Sequence, residues 1–375
     1  MHKRQFIFGI DGGGTCSRLM VAELHAEPRA SELQAQLRAL SSKEALTGEA
    51  LPGQALPLSR ALSPKIELPF TPVYQVEGKS SNVNAVGDAG VERNLRLLFD
   101  AAQEAGYPRS SFIAGCLGAA GAGREAERRR VEQTLRAALG ATALGTELIA
   151  TPVGTELNPR LKLSVVSDHE IALIGGLRSN SGFLLLSGTG SIAYARASDG
   201  TSFRAGGLGH WLSDEGSGFF VGFTSLSRSI RSSENRDLDT QMLPALLDLF
   251  KLSSVADAIP FIYKNFDKTA IAKAAPLVAE FRDRGDELAT DIYEKAAQEL
   301  ALLCRSVYQR SQKLIQDHRL LLWGSMLEKD LWLKKRVEVI VVTECPSLIL
   351  ILSLGNAMEG ACISAAELAV GSQSD

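Results

Sequence analysis

Phe6-Ile7-Phe8-Gly9-Ile10-Asp11-Gly12-Gly13-Gly14-Thr15-Cys16-Ser17-Arg18-Leu19-Met20-Val21-Ala22-Glu23-Leu24 is the stretch that decides the fold. Phe6 to Ile10 is apolar and reads as a buried strand. The glycine turn Asp11–Thr15 ends it, and Ser17 to Leu24 reads as a second strand that starts at once. A strand, a glycine turn and a strand make a hairpin, not the strand-to-helix step of a Rossmann or P-loop motif. The same pattern returns in the second half. Phe183 to Leu186 is apolar and ends in Ser187-Gly188-Thr189-Gly190-Ser191, and Ile192 to Arg196 follows as a strand before a turn at Asp199-Gly200. The chain therefore carries an internal duplication of pattern, though not of sequence identity.

Between and after these hairpins the chain alternates. Val73 to Val76, Phe112 to Leu117, Leu163 to Val166, Leu320 to Trp323 and Val337 to Val342 read as strands. Val91 to Ala105, Glu125 to Leu139, Glu170 to Leu177 and Gly360 to Leu368 read as helices, and residues 219 to 317 read as mainly helical. Such alternation predicts an α/β fold with helices on the sheet faces. Residues 26 to 72 differ. Beyond a short helical face of Leu33, Leu37 and Leu40 behind Ser31, they are rich in Pro, Gly, Ser, Ala and Leu, and predict a surface excursion.

The chain has 375 residues, 45 % of them apolar and 22 % charged, with net charge −3. That length predicts two domains or one bilobal unit. The charge balance argues against a nucleic-acid or anionic-membrane partner. Arg128-Arg129-Arg130 reads as a solvated helix face. Met1-His2-Lys3-Arg4 resembles a charged leader, but the apolar stretch behind it is too short for a signal peptide. The longest later apolar run, Pro346 to Leu354, is far short of a membrane span. Five scattered cysteines without CxxC spacing argue against a disulfide framework, a structural zinc site or an Fe–S cluster. A reducing cytoplasm is the expectation.

Four segments carry candidate chemistry. The glycines of Asp11–Thr15 bring backbone N–H groups towards a phosphate, Asp11 suits Mg²⁺ held through water, and the Thr15 hydroxyl suits a phosphate oxygen. An ordinary glycine turn is the alternative. Ser187–Ser191 repeats these features, and two such loops suit the two sides of a nucleotide phosphate chain. Asp168 lies just after a strand, where a carboxylate can deprotonate an acceptor hydroxyl, or can cap the following helix. The stretch Gly206-Gly-Leu-Gly-His-Trp-Leu-Ser-Asp-Glu-Gly-Ser-Gly218 reads as a polar-pocket loop. In it Asp214 and Glu215 suit a metal, sugar hydroxyls or a helix cap. His210, beside Trp211, suits a structural role better than a catalytic one.

Taken together, Asp11-Gly-Gly-Gly-Thr15, Ser187-Gly-Thr-Gly-Ser191 and Gly206-Gly-Leu-Gly-His-Trp-Leu-Ser-Asp-Glu-Gly-Ser217 closely resemble, in order and content, the N-acetylglucosamine and glucosamine kinase group of the BadF/BadG/BcrA/BcrD ATPase family. The resemblance extends to Ser80-Ser81-Asn82, Ser167-Asp168, Leu322-Trp323-Gly324-Ser325 and Gly360-Ala361, and so to most of the chain outside residues 26 to 72. It implies the actin/hexokinase/Hsp70 fold: two actin-like (ribonuclease H-like) domains with a cleft between them. The domains are expected over 1–118 and 119–375, with a helical insertion at about 219–317 and a closing helix free to pack back on the first domain.

The resemblance also implies roles. Asp11, Gly12, Gly13, Gly14 and Thr15, with Gly188, Thr189, Gly190 and Ser191, would grip the phosphates of ATP, and Asp11 would hold Mg²⁺. Gly324 and Ser325 would lie against the adenosine, with Gly360-Ala361 a small-residue turn near the adenine. Asn82, Asp168, Thr189 and Asp214 would meet an amino sugar, N-acetylglucosamine or glucosamine, with Asp168 the base for its 6-hydroxyl. A homodimer is the expectation, as relatives of this kind commonly are. The sequence departs from the family at His169 and Glu170, where small residues are usual, at Leu208, and in the apolar run Leu348 to Leu352. Two rivals share the fold: an Fe–S-bearing ATPase activator of 2-hydroxyacyl-CoA or benzoyl-CoA chemistry, for which Cys116 is the one suggestive residue, and a non-catalytic sugar sensor.

Overall fold

A computed structural model of the protein describes residues 4–13, 16–25, 68–144, 147–150 and 157–370. The predicted Gly14 and Thr15, and most of the predicted excursion, lie outside the described residues. The chain divides into two compact units, one of residues 1–181 with 352–375 and one of residues 182–351. The expected boundary after residue 118 is corrected by this division. Ala119 is still paired with Ser167, so residues 119–167 complete the first sheet rather than begin a second domain.

The first unit opens with β1 (Phe6–Gly12), β2 (Cys16–Leu24) and β3 (Phe70–Lys79). Helix α1 (Val83–Glu104) is broken at Gly87, and β4 (Phe112–Ala119) and α2 (Glu125–Leu139) follow. A small hairpin, β5 (Ala141–Leu144) and β6 (Glu147–Ala150), precedes β7 (Lys162–Ser167) and α3 (Asp168–Leu177). The sheet order is β3-β2-β1-β4-β7. β1, β2 and β3 run antiparallel to their neighbours, while β1, β4 and β7 are parallel. Ile7, Phe8 and Ile10 of β1 are all fully buried, as a central strand covered on both faces requires. Phe8 meets Phe99 of α1 and Phe112 of β4 edge-on, each at 5.1 Å between ring centres.

The second unit repeats the plan with β8 (Gly182–Ser187), β9 (Ser191–Arg196) and β10 (Ser202–Gly206). Six helices follow: α4 (Gly218–Ser233), α5 (Met242–Leu249), α6 (Ala258–Tyr263), α7 (Lys268–Ala272), α8 (Ala275–Asp283) and α9 (Glu287–Ser311). Then come β11 (Arg319–Trp323), α10 (Ser325–Lys329), α11 (Leu331–Glu344) and β12 (Ile349–Ile351). The order β10-β9-β8-β11-β12 has the same sequence of antiparallel and parallel neighbours as the first sheet. The duplication seen in the sequence pattern is thus a duplication of topology. Helix α12 (Ala357–Val370) returns to the first unit and packs on α3, β1 and β4.

Two local expectations are corrected. Val337 to Val342 is helical, not a strand. Its β-branched composition suggested a sheet, but Leu333, Val337 and Val341 are buried while Val339 and Val342 are exposed, which is a helical period. Asp330 caps that helix by accepting the N–H of Leu333 at 2.8 Å. The strand of this region is instead the apolar Ile349–Ile351. Gly360 and Ala361 are likewise buried inside α12 of the first unit, and form no turn.

Candidate active site

In the first unit β1 and β7 both run parallel to β4 and flank it, so their C-terminal ends emerge at one edge of the sheet. Asp11 pairs across to Gly118 of β4, and Ala119 pairs with Ser167. Asp11 and Asp168 therefore flank the glycine end of β4. Side chains at the carboxyl ends of parallel strands are where such sheets present ligands with chemistry.

Asp11 is half-buried. Its carboxyl is pushed up by burial, pulled back by the Arg18 guanidinium, and pushed up again by the negative charge of Asp168. Asp168 is the smallest of the three effects, but a carboxylate at a strand end can still hold a hydrated divalent cation. Among the described residues no group of three acidic, His or Cys side chains could hold a metal. A cation here would draw most of its shell from water and phosphate oxygens, as Mg²⁺ does, so the donor set fits Mg²⁺ with nucleotide.

Asp168 is the first residue of α3, and the N-cap position belongs to Ser167. Its side chain is 42 % exposed. Oδ1 accepts the His169 N–H at 2.9 Å, and His169 Nδ1 stands 3.4 Å from the same oxygen. His169 Nε2 lies 2.8 Å from Ser167 Oγ, which fixes the ring. Burial works against the charge of Asp168, but the His169 hydrogen bonds and charge outweigh it and hold the carboxyl below its usual range. Glu170, in contrast, is buried, with Arg128 3.8 Å away. So His169 bears on the Asp168 carboxylate, and Glu170 faces the arginine of α2.

The Ser80-Ser81-Asn82 loop is tied to the Asp11 turn. Ser80 Oγ donates to Gly13 O at 3.1 Å, and Ser81 Oγ lies 2.7 Å from Ser17 Oγ. Asn94 Nδ2 donates to Ser80 O at 2.7 Å. Asn82, half-buried, directly precedes α1, and its carbonyl accepts from Ala85 and Val86. The first unit therefore gathers Asp11, Gly12, Gly13, Asn82 and Asp168.

In the second unit the Gly188–Ser191 turn is stitched to residues 214–218. Gly188 O accepts from Gly218 N at 2.8 Å, Ser187 Oγ donates to Gly216 O at 2.9 Å, and Ser191 Oγ donates to Glu215 O at 2.6 Å. Asp214 is 4 % exposed, and both of its carboxylate oxygens are engaged within the unit. Oδ1 accepts the Ser191 N–H at 3.1 Å and Oδ2 accepts from Lys268 at 2.7 Å. Helix α4 is capped by Ser217, which accepts from Phe220 N, and not by Asp214 or Glu215. His210 sits among Phe266, Trp211 and Phe219, with ring centres 4.6, 4.9 and 5.2 Å away. Burial and the Lys268 charge push its pKa down. It is an aromatic-cluster residue.

A cavity of about 570 Å³ opens beside this turn, within the range of small-molecule sites. Gly188, Thr189, Gly218 and Ser325 line one end, and Ala272, Ala275, Pro276, Ala279 and Met326 line its apolar wall. Ser325 follows Gly324 at the end of β11 and lines the cavity. The sequence reading missed the far wall. There Arg282 lies between the Tyr293 and Trp332 rings, 4.3 and 4.8 Å from their centres, and donates to both Asp330 oxygens at 3.1 and 2.9 Å. Arg282 and Tyr293 come from the consecutive helices α8 and α9, but Asp330 and Trp332 stand at the start of α11, about 40 residues further on, and only packing brings them together.

Residues 8–346 match the family described as the BadF/BadG/BcrA/BcrD ATPase family. The chain belongs to that family. Among curated relatives, the N-acetylmuramic acid/N-acetylglucosamine kinase of Clostridium acetobutylicum is 32 % identical over 244 residues, 64 % of this chain and 74 % of that protein. The N-acetyl-D-glucosamine kinase of Dictyostelium discoideum is 29 % identical over 198 residues, 52 % of this chain and 56 % of that one. A solved structure from Chromobacterium violaceum, provisionally assigned as an N-acetylglucosamine kinase, matches with a TM-score of 0.63 at 20 % identity, covering 96 % of this chain and 99 % of that chain. At that identity the likeness concerns the fold. Membership of an ATPase family implies that the protein uses ATP. No helix among the described residues is long and apolar enough to cross a membrane.

Proposed function

We propose that this protein, a sugar kinase of the BadF/BadG/BcrA/BcrD ATPase family, transfers the γ-phosphoryl group of ATP to the 6-hydroxyl of an amino sugar, N-acetylglucosamine before glucosamine. The observation that carries this reading is the pair of carboxylates flanking Gly118: one raised and suited to a cation, the other ionised and partly open to solvent. Phosphoryl transfer asks for positioning, charge neutralisation and one acceptor for the hydroxyl proton. Asp168 accepts that proton. Asp11 holds Mg²⁺, which supplies positive charge to the phosphates when bound. Gly12 and Gly13, with Gly14 and Thr15 beyond them, and Gly188, Thr189, Gly190 and Ser191 offer N–H and hydroxyl donors to the phosphate oxygens. Gly324 and Ser325 lie against the adenosine in the cavity, and Asn82 orients the sugar with Asp168. Thr189, which lines the cavity of the second unit, offers its hydroxyl to a phosphate or sugar oxygen. Asp214 reaches a sugar only by releasing Lys268, and otherwise holds the phosphate turn in place.

The test is ADP release measured across N-acetylglucosamine, N-acetylmuramic acid, glucosamine, N-acetylmannosamine and glucose. Turnover with an N-acetylated sugar, and phosphate at its 6-position by NMR of the product, is the expected result. No ADP release with any of them sinks the reading. His169 offers a finer check. One hydrogen-bonding neighbour is worth about 0.5–1.5 kcal/mol, or roughly 2–10-fold. His169→Ala is expected to lower kcat by about that factor with KM for ATP unchanged, and His169→Asn to restore much of it. An unchanged kcat in His169→Ala would make the ring a spectator.

The activator reading has less support. Cys116 is fully buried, its thiol pushed up to about 12 chiefly by burial. Cys304, Cys345 and Cys362 are buried as well. A cluster needs several thiolates brought together, and among the described residues no group of three His, Cys, Asp or Glu side chains could hold a metal.

A further inference from the structure

Lys268 opens helix α7 and was given no role by the sequence. Its Nζ is 2.7 Å from Asp214 Oδ2, and the side chain is 28 % exposed. An ammonium has three donors, and among the described residues Asp214 is its only acceptor. Asp214 is held in turn by its left-handed backbone (φ 76°) and by the Ser191 N–H on Oδ1. The ammonium is thus braced by a buried carboxylate, not swung on a free stem.

What it is braced over is the phosphate turn. A Cβ on Gly190 would fall 2.7 Å from Asp214 Oδ1 and 2.9 Å from Lys268 Nζ. The cation therefore lies against the backbone of the turn that runs from Gly188 to Ser191. Gly188, Thr189, Gly218 and Thr269, the residue after Lys268, all line the adjoining cavity. A buried pair with no ligand in view would shield its ammonium. This one leaves two N–H donors unspent beside a turn whose own donors suit an anion.

We propose that Lys268 is a phosphate-binding residue: its ammonium, positioned by Asp214, binds the terminal phosphates of the nucleotide held by the Gly188–Ser191 turn. This deepens the proposed function and rests on the cavity's taking ATP. The site then reads a nucleotide in two parts, the base and ribose by the apolar wall and the phosphates by the turn with Lys268.

The experiment is equilibrium binding of ATP, ADP and adenosine to the full chain, with and without Mg²⁺, for the native protein, Lys268→Met and Lys268→Arg. Charge-assisted hydrogen bonds of this kind carry about 10–100-fold in affinity. Lys268→Met is expected to weaken ATP by that factor, ADP by less, and adenosine by no more than about twofold. Lys268→Arg should recover a good part of the ATP loss. Equal weakening of ATP and adenosine, or unchanged ATP binding, overturns the inference while leaving the nucleotide cavity standing. Native protein that binds neither ATP nor adenosine overturns both readings. If Lys268→Met does not fold, as judged by its thermal melt, Lys268→Gln decides: ATP weakened about tenfold or more with adenosine within about twofold supports a phosphate-binding cation, and an ATP-to-adenosine affinity ratio equal to the native one refutes it.

Discussion

Asp168→Asn is expected to lower kcat about 10²–10⁴-fold, the usual worth of a positioned general base, with ATP affinity within about twofold of native. Asparagine keeps the size of the side chain and an Oδ1 that can accept the His169 N–H as Asp168 does at 2.9 Å. The start of α3 should therefore hold its shape. What is lost is the ability to take a proton. In the native protein the carboxyl is ionised at neutral pH, and the His169 hydrogen bonds, which outweigh the cost of its partial burial, keep it so. The helix N-terminus adds a favourable field for the same charge. Near-normal turnover in Asp168→Asn would move the base elsewhere. Asp214 is tied to Ser191 and Lys268, and Glu170 is buried near Arg128, so neither is a ready substitute. Loss of ATP binding together with turnover would instead make Asp168 a metal or structural residue. Coupled ADP release and a separate nucleotide-binding titration distinguish these outcomes.

The parts of this site that were legible in the sequence are those held by local backbone. A glycine turn between two apolar strands announces itself within a dozen residues. So the hairpins at Asp11 and Gly188 were readable, and with them the duplicated sheet order. Asp168 stood out because it directly follows a strand, where the residues alone fitted a helix cap as well as a base; the family resemblance favoured the base, and in the structure the N-cap position falls to Ser167. The illegible parts are made by packing. Val337 to Val342 has the composition of a strand, and only the buried face shared with Leu333 shows it to be a helix. The domain boundary after residue 118 fell at the end of a strand, whereas β7 returns more than 40 residues later to complete the same sheet. Lys268 and Arg282 belong to a helical region whose pattern carries no motif. Their meaning comes from Asp214, Tyr293, Trp332 and Asp330, which are neighbours in space alone.

Gly360→Ala should destabilise the protein by about 2 kcal/mol or more, although alanine is the better helix former. Two terms oppose each other. Replacing glycine inside a helix by alanine favours the helix by about 1 kcal/mol. Against this, a Cβ on Gly360 would lie 1.9 Å from Ile171 O and 2.6 Å from Gly175 N. Both contacts are backbone atoms of α3, which cannot turn aside as a flexible side chain can. The approach is reciprocal, since a Cβ on Gly175 would lie 2.0 Å from Asn356 O. Arg178 and Glu359, 3.1 Å apart, hold the same two helices together. Overpacking of this severity costs about 3 kcal/mol or more, so sterics win over propensity. For a unit of this size each kcal/mol lowers Tm by about 2–4 °C, which predicts a fall of about 4–8 °C or more by differential scanning calorimetry. The effect should reach the site, because α3 begins at Asp168 and Ile171 lies one turn further along. Turnover at a temperature where the variant is fully folded should therefore fall as well. A variant as stable as the native protein would mean that α12 can stand off from α3 at no cost, and the close seat of these helices would then not be what holds Asp168 at the sheet edge.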